Sequence, residues 1–215
     1  MYASMNPSAG HIYLVDDDAD VRFYLGDLLR QLGYSVATYE NAESFFKHAL
    51  DLSPAVVLMD MRMPGLTGLQ AQGRLADIGR HTPVVFISGE SQPQEIVDAM
   101  KGGAVDFLIK PFNREQLVAA LDKAMRLDIQ SRDRFVRQTQ VRRLFNALTE
   151  REKDLFSLIL QGHSNLAIGE KTGVQAGTVK KHRAAILEKF QVESVAELIE
   201  TCKGLDLESP GSASR

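Results

Sequence analysis

Four short apolar runs, each stopping at a polar residue, constrain what this 215-residue chain can fold into. Ile12-Tyr13-Leu14-Val15 stops at Asp16-Asp17, and Val56-Val57-Leu58-Met59 stops at Asp60. Val84-Val85-Phe86-Ile87 stops at Ser88, and Phe107-Leu108-Ile109 stops at Lys110-Pro111. Short, β-branched-rich runs of this kind read as strands buried on both faces of a parallel sheet. Helix-period segments lie between them, which predicts repeated βα units. In an open parallel sheet, ligands bind beyond the carboxyl ends of the strands. The polar residues stand at those ends, so they are expected to converge on one site.

Converged carboxylates repel one another, and an unpaired one would take up a proton. A hard divalent cation relieves the conflict. Mg²⁺ takes oxygen ligands, usually with only one or two carboxylates. A lysine opposite adds a second positive point charge suited to phosphate, and a serine hydroxyl can donate to a phosphoryl oxygen. These parts suit phosphoryl transfer, where positioning and charge neutralisation carry most of the catalysis. A carboxylate can itself be the nucleophile and form an acyl phosphate. Asp60 is the candidate, with Asp16 and Asp17 holding the metal. Asp18 or Asp20 is expected to cap the helix that follows.

Residues 11–125 resemble the receiver domain of a bacterial two-component response regulator. The likeness rests on Val15-Asp16-Asp17-Asp18, Met59-Asp60-Met61-Arg62-Met63-Pro64-Gly65, Ser88-Gly89-Glu90 and Gly103-Ala104-Val105-Asp106-Phe107-Leu108-Ile109-Lys110-Pro111-Phe112. It implies a doubly wound, five-stranded parallel α/β sheet of the flavodoxin and CheY kind. By the same likeness, Asp60 accepts a phosphoryl group from a sensor histidine kinase. Asp16, Asp17, Asp60 and the backbone carbonyl of Arg62 would bind Mg²⁺. Ser88 and Phe107 would be the switch pair, a hydroxyl that moves to the phosphoryl group and a ring that follows it inward. Ser88 stands where Thr is commoner, and Phe107 lacks a phenol hydroxyl. The chain would be no enzyme beyond self-directed transfer and autodephosphorylation.

Charge is unevenly spread. Residues 1–125 hold 10 Lys/Arg and 16 Asp/Glu, whereas residues 126–148 hold 6 and 2. An acidic first domain is thus followed by a basic connector. Leu117, Leu121 and Met125, at spacing four, predict a helix over 113–127, and helical character is expected through a linker at 126–147. The arginines there read as solvated surface or as contacts to phosphate.

Thr149-Glu150-Arg151-Glu152 is a capping-box pattern. It opens a helix with Leu155, Phe156, Leu158 and Ile159 inward, closed by Gly162. Ser164 is expected to cap a short helix carrying Leu166, Ala167 and Ile168, and Gly173 ends it. A longer helix follows over about 176–190. Short helix, glycine turn and longer helix is the helix-turn-helix signature, whose second helix enters the major groove. Lys180, Lys181, His182 and Arg183 cluster on that helix, and such a cluster supplies salt-sensitive phosphate affinity.

Residues 148–203 resemble the DNA-binding domain of the LuxR/FixJ/NarL class. The likeness rests on Leu148-Thr149-Glu150-Arg151-Glu152, Gly162-His163-Ser164-Asn165, Ile168, Thr178-Val179-Lys180-Lys181-His182-Arg183, Ile186-Leu187, Lys189, Val192 and Ser194. It implies that Lys180, Lys181 and Ala184 face base edges, with Thr178, His182, Arg183 and Lys189 near phosphates. Gly177 and Ala184 depart from the family's usual polar or longer side chains. In FixJ-like proteins a face here carrying Ile96, Val97, Met100, Lys101 and Asp106 pairs two phosphorylated receivers, with Lys101 and Asp106 as a cross-dimer ion pair.

The resulting expectation is a receiver over 1–125, a helical linker, a small all-α helix-turn-helix domain over 148–203, and a disordered tail over 204–215. The partners would be a histidine kinase, double-stranded promoter DNA, RNA polymerase and a second phosphorylated copy. No apolar stretch approaches the roughly 18–20 residues that span a bilayer, and no secretory signal is evident. Cys202 is the single cysteine, so no intrachain disulfide forms. No membrane partner and a cytoplasmic location are expected. Two competing readings remain. One is a Mg²⁺-dependent phosphohydrolase with Asp16 as nucleophile and Asp18 as acid/base; the other is a receiver that binds DNA without phosphorylation.

Overall fold

The computed structural model describes residues 10–48, 52, 54–79 and 81–205. The tail expected over 204–215 lies outside them from residue 206 onward. Five strands form one parallel sheet: β1 (His11–Val15), β2 (Ser35–Tyr39), β3 (Ala55–Asp60), β4 (Val84–Ser88) and β5 (Asp106–Ile109), in the order β2-β1-β3-β4-β5. Helices separate them: α1 (Ala19–Gln31), α2 (Ala42–Phe46), α3 (Gly68–Asp77) and α4 (Pro93–Lys101). The order reverses between β1 and β3, so the crevice at that switch point opens at the carboxyl ends of these strands, where Asp16 and Asp60 stand.

Alternation along each strand explains the two buried faces. Tyr13, Val15, Val57, Met59 and Phe86 pack with Phe45, Ala71, Leu75 and Ala99 of α2, α3 and α4. Ile12, Leu14, Val56, Leu58, Val85 and Ile87 pack with Leu25 and Leu29 of α1 and with Leu117, Leu121 and Met125. β2 was not marked by any polar strand end; it is half-exposed and carries no site residue.

α5 runs unbroken from Arg114 to Asn146, 33 residues. The chain divides into two compact units between Arg132 and Asp133, inside this helix. The linker expected over 126–147 is therefore helix up to Asn146, and its last turns belong to the second core. Val141, Phe145 and Leu148 are buried there, and Phe145 meets the Phe156 ring edge-on at 5.2 Å.

The second unit continues with α6 (Glu150–Leu160), α7 (Asn165–Thr172), α8 (Ala176–Phe190) and α9 (Val195–Cys202). Leu155, Phe156, Ile159, Ile168, Val179, Ile186, Phe190 and Leu198 are its core. Thr149 and Glu152 form a reciprocal capping box, and Ser164 caps α7 through the Ala167 N–H. Gly173 ends α7 at φ +69°, a conformation that costs a side chain and suits glycine. Leu166 does not join the core; it is 65% exposed.

Two glycines test how tightly the helix-turn-helix is built. A Cβ on Gly169 of α7 would meet the Val174 carbonyl oxygen at 2.6 Å, whereas a Cβ on Gly177 of α8 would meet nothing within 4 Å. Alanine gains up to about 1 kcal/mol over glycine in a helix, while a forced backbone shift costs about 1–3 kcal/mol. Gly169→Ala is therefore expected to lower the urea midpoint followed by circular dichroism, and Gly177→Ala to raise it slightly. A Gly169→Ala protein as stable as the parent would contradict the close approach.

Candidate functional site

Asp16 directly follows β1 and Asp60 ends β3, and both are buried. The Lys110 ammonium, just past β5, lies 3.0 Å from Asp16 Oδ2 and 3.1 Å from Asp60 Oδ1. The Lys110–Pro111 peptide is cis. The remaining carboxylate oxygens are held by backbone: the Asp18 N–H donates to Asp16 Oδ1 at 2.9 Å, and the Arg62 N–H donates to Asp60 Oδ2 at 2.7 Å. The Asp16 carbonyl accepts from the Arg22 guanidinium at 2.7 Å. Strand-end acids and the lysine thus converge as expected.

Burial pushes the Asp60 carboxyl above its ordinary range; the Arg62 N–H and the Lys110 ammonium pull it down, and the nearby Asp16 charge adds to the rise. For Lys110, burial disfavours the charge, but bonds and attraction to Asp16 and Asp60 outweigh it and hold the ammonium up. The site is a charge cluster held together by one lysine. Its donors are hard oxygens, and two carboxylates are enough for Mg²⁺. Asp16 and Asp60 fit such an ion, which would favour the ionised form of Asp60. Asp17 is exposed, and no group of three or more metal-binding acids, histidines or cysteines is gathered among the described residues.

Ser88, buried at the end of β4, donates its hydroxyl to the Glu90 carbonyl at 3.0 Å. Phe107 is half-buried, its ring 6.2 Å from that of Phe86. Asp18 is occupied in capping α1, accepting from the N–H groups of Asp20 and Val21. One contact had no sequence signal: the exposed Arg62 side chain reaches Glu95 at 3.2 Å, and Glu95 also accepts from the Gln92 N–H that opens α4. On α4, Val97, Met100 and Lys101 are exposed and Ile96 is half-buried. Asp106 pairs with Lys123 of α5 at 3.4 Å.

In the helical unit, Thr178, Lys180, Lys181 and Ala184 are exposed on α8, while His182, Arg183 and Lys189 are half-buried. Two of these are engaged internally. Arg183 donates to the His163 carbonyl at 2.6 Å, which ties α8 to the turn before α7. Lys189 pairs with the buried Glu152 at 2.6 Å. A phosphate role for Lys189 therefore competes with this pair. Burial raises the Glu152 carboxyl, but the bonds from Lys189 and Thr149 outweigh it and leave the group below its ordinary value. A lowered carboxylate adds stability that is present above its unfolded value and lost as pH falls through the folded one. Glu152→Gln is expected to cost about 1–3 kcal/mol near neutral pH. The gap in urea midpoint between variant and parent should close below about pH 4.5. A gap that persists in acid would show that the charge is not what Glu152 contributes.

Residues 12–122 match the family model described as response regulator receiver domain, and residues 146–202 match that of bacterial regulatory proteins, luxR family. The chain belongs to the response regulator family. This response regulator is 33% identical over 201 residues to response regulator protein TmoT of Ectopseudomonas mendocina, covering 94% of this chain and 91% of that one. It is 34% identical to transcriptional regulatory protein FixJ of Bradyrhizobium diazoefficiens, covering 88% and 93%. Among solved structures, response regulator StyR superposes with a TM-score of 0.77 at 36% identity, covering 90% of this chain and 98% of that one. Full-length FixJ from B. japonicum gives 0.56 at 32%, covering 90% and 95%. The response regulator is thus a two-component transcriptional regulator, a CheY-like receiver followed by a LuxR-type helix-turn-helix domain.

Proposed function

We propose that this regulator is switched by phosphorylation of Asp60 and, once phosphorylated, dimerises and binds promoter DNA. The carrying observation is the Lys110 ammonium held between Asp16 and Asp60 at the sheet's switch point. An Asp60 oxygen attacks the phosphorus of a kinase phosphohistidine, the phosphorus–nitrogen bond breaks, and an acyl phosphate forms. Lys110 offers its charge to the transferred group. Mg²⁺, held by Asp16, Asp17, Asp60 and the Arg62 carbonyl, would neutralise phosphoryl charge. The Ser88 hydroxyl leaves the Glu90 carbonyl for a phosphoryl oxygen, and Phe107 follows it inward.

The face of Ile96, Val97, Met100, Lys101 and Asp106 supports receiver pairing, since Val97 and Met100 are 44% and 43% exposed. Asp106 would exchange Lys123 for Lys101 of a second copy. A paired protein presents two recognition helices to half-sites about 34 Å, or roughly 10 bp, apart. RNA polymerase is the downstream partner, and the chain catalyses nothing beyond its own phosphorylation and dephosphorylation. The engagement of Asp18 as a helix cap speaks against the phosphohydrolase, which needs it as acid/base. Footprinting across genomic DNA, with and without acetyl phosphate, tests the reading. Discrete sites protected at lower protein concentration after phosphorylation are expected. Protection indifferent to the phosphodonor would mean that DNA binding is not gated by Asp60.

A further inference from the structure

We propose that Lys171, held in place by His163, is a contact for the DNA phosphodiester backbone on the flank of the recognition helix. This rests on the DNA-binding reading of the helical unit and adds to it a site outside the motif residues. Lys171 lies at the end of α7, is exposed, and places its ammonium 3.0 Å from His163 Nε2. An ammonium only donates, so Nε2 is the accepting nitrogen. The imidazole thus fixes the lysine without cancelling its charge, and further ammonium hydrogens stay available.

Charge accounting across the unit isolates the same residue. Lys153 pairs with Glu150, Lys189 with Glu152 and Lys203 with Glu200. Among the described residues of the unit, Lys171, Lys180 and Lys181 are the lysines with no carboxylate partner. Their placement is shared as well. The His163 carbonyl is bonded to Arg183 of α8, and α7 packs on α8. Residues three apart on a helix are surface neighbours, so Arg183 and Lys180 occupy adjacent positions on α8. Lys171 and His163 therefore stand beside the row that carries Lys180. Arg183 is half-buried and spends a guanidinium N–H on the His163 carbonyl, so Lys171 is the more exposed cation of the two. An uncompensated, held cation beside a recognition helix suits a phosphate, which is bound without regard to base sequence.

The test uses the full-length protein treated with acetyl phosphate and a 30-bp mixed-sequence duplex, read by fluorescence anisotropy from low to high NaCl. Losing one phosphate contact lowers the slope of log K against log salt by about 0.9, which is about five-fold in affinity near 0.15 M salt. Lys171→Gln and Lys171→Met should both show this loss with an unchanged melting temperature, and Lys171→Arg should restore the slope. A slope equal to the parent's in both neutral variants overturns the proposal and leaves the DNA-binding reading standing. A parent protein with no salt-dependent affinity for the duplex overturns both.

Discussion

Asp60→Asn is expected to take up no phosphoryl group from acetyl phosphate and Mg²⁺, whereas the parent gains one base-labile group in intact-mass measurement. The loss should be complete, because the asparagine amide offers no carboxylate nucleophile. Folding should survive. The amide oxygen can still accept one of the two bonds that Asp60 now takes from the Arg62 N–H and Lys110. Stability at neutral pH should not fall, and the sign follows from the raised carboxyl. A group that holds its proton more tightly when folded favours the fold at low pH and works against it once ionised. Removing that charge removes the cost. Asp18→Asn should label like the parent, since an asparagine caps a helix as well as an aspartate. Mapping of the phosphoryl group to Asp16 would instead revive the phosphohydrolase.

Replacing Lys180 or Lys181 with alanine is expected to cost on the order of 1–3 kcal/mol at a specific site, or roughly five- to 150-fold in affinity, and to relax preference at one base position. Both side chains are exposed on α8 and pair with no carboxylate among the described residues, so their removal should leave melting unchanged. Arg183→Ala is expected to behave differently. It should weaken binding to all sequences, and it should also lower the melting temperature, because it frees the His163 carbonyl. Titration of footprinted duplexes with each variant separates the two behaviours. Full-length Lys180→Ala and Lys181→Ala proteins that bind like the parent would make the second unit a protein-binding module.

Strand ends, helix caps and turns were legible in the sequence because each is settled within a few residues. Asp16 and Asp60 stand where apolar runs stop. Thr149, Ser164 and Gly173 satisfy or end backbone hydrogen bonding at their own helix. Helical period was legible in α8, and helical character was expected along the linker that α5 spans. What the arginines of that linker masked is Val141 and Phe145 as core. Their burial depends on Phe156, which the helix cannot report about itself.

What only the tertiary structure decided is which charges meet. Lys110 reaches Asp16 and Asp60 across 94 and 50 positions, because strand order and register bring three strand ends together. Lys189 meets Glu152 across 37 positions, and Arg183 meets His163 across 20. The local pattern could name these residues as cations. It could not say which are neutralised inside the fold and which keep their charge for a ligand, since that choice is made by packing between helices distant in the chain.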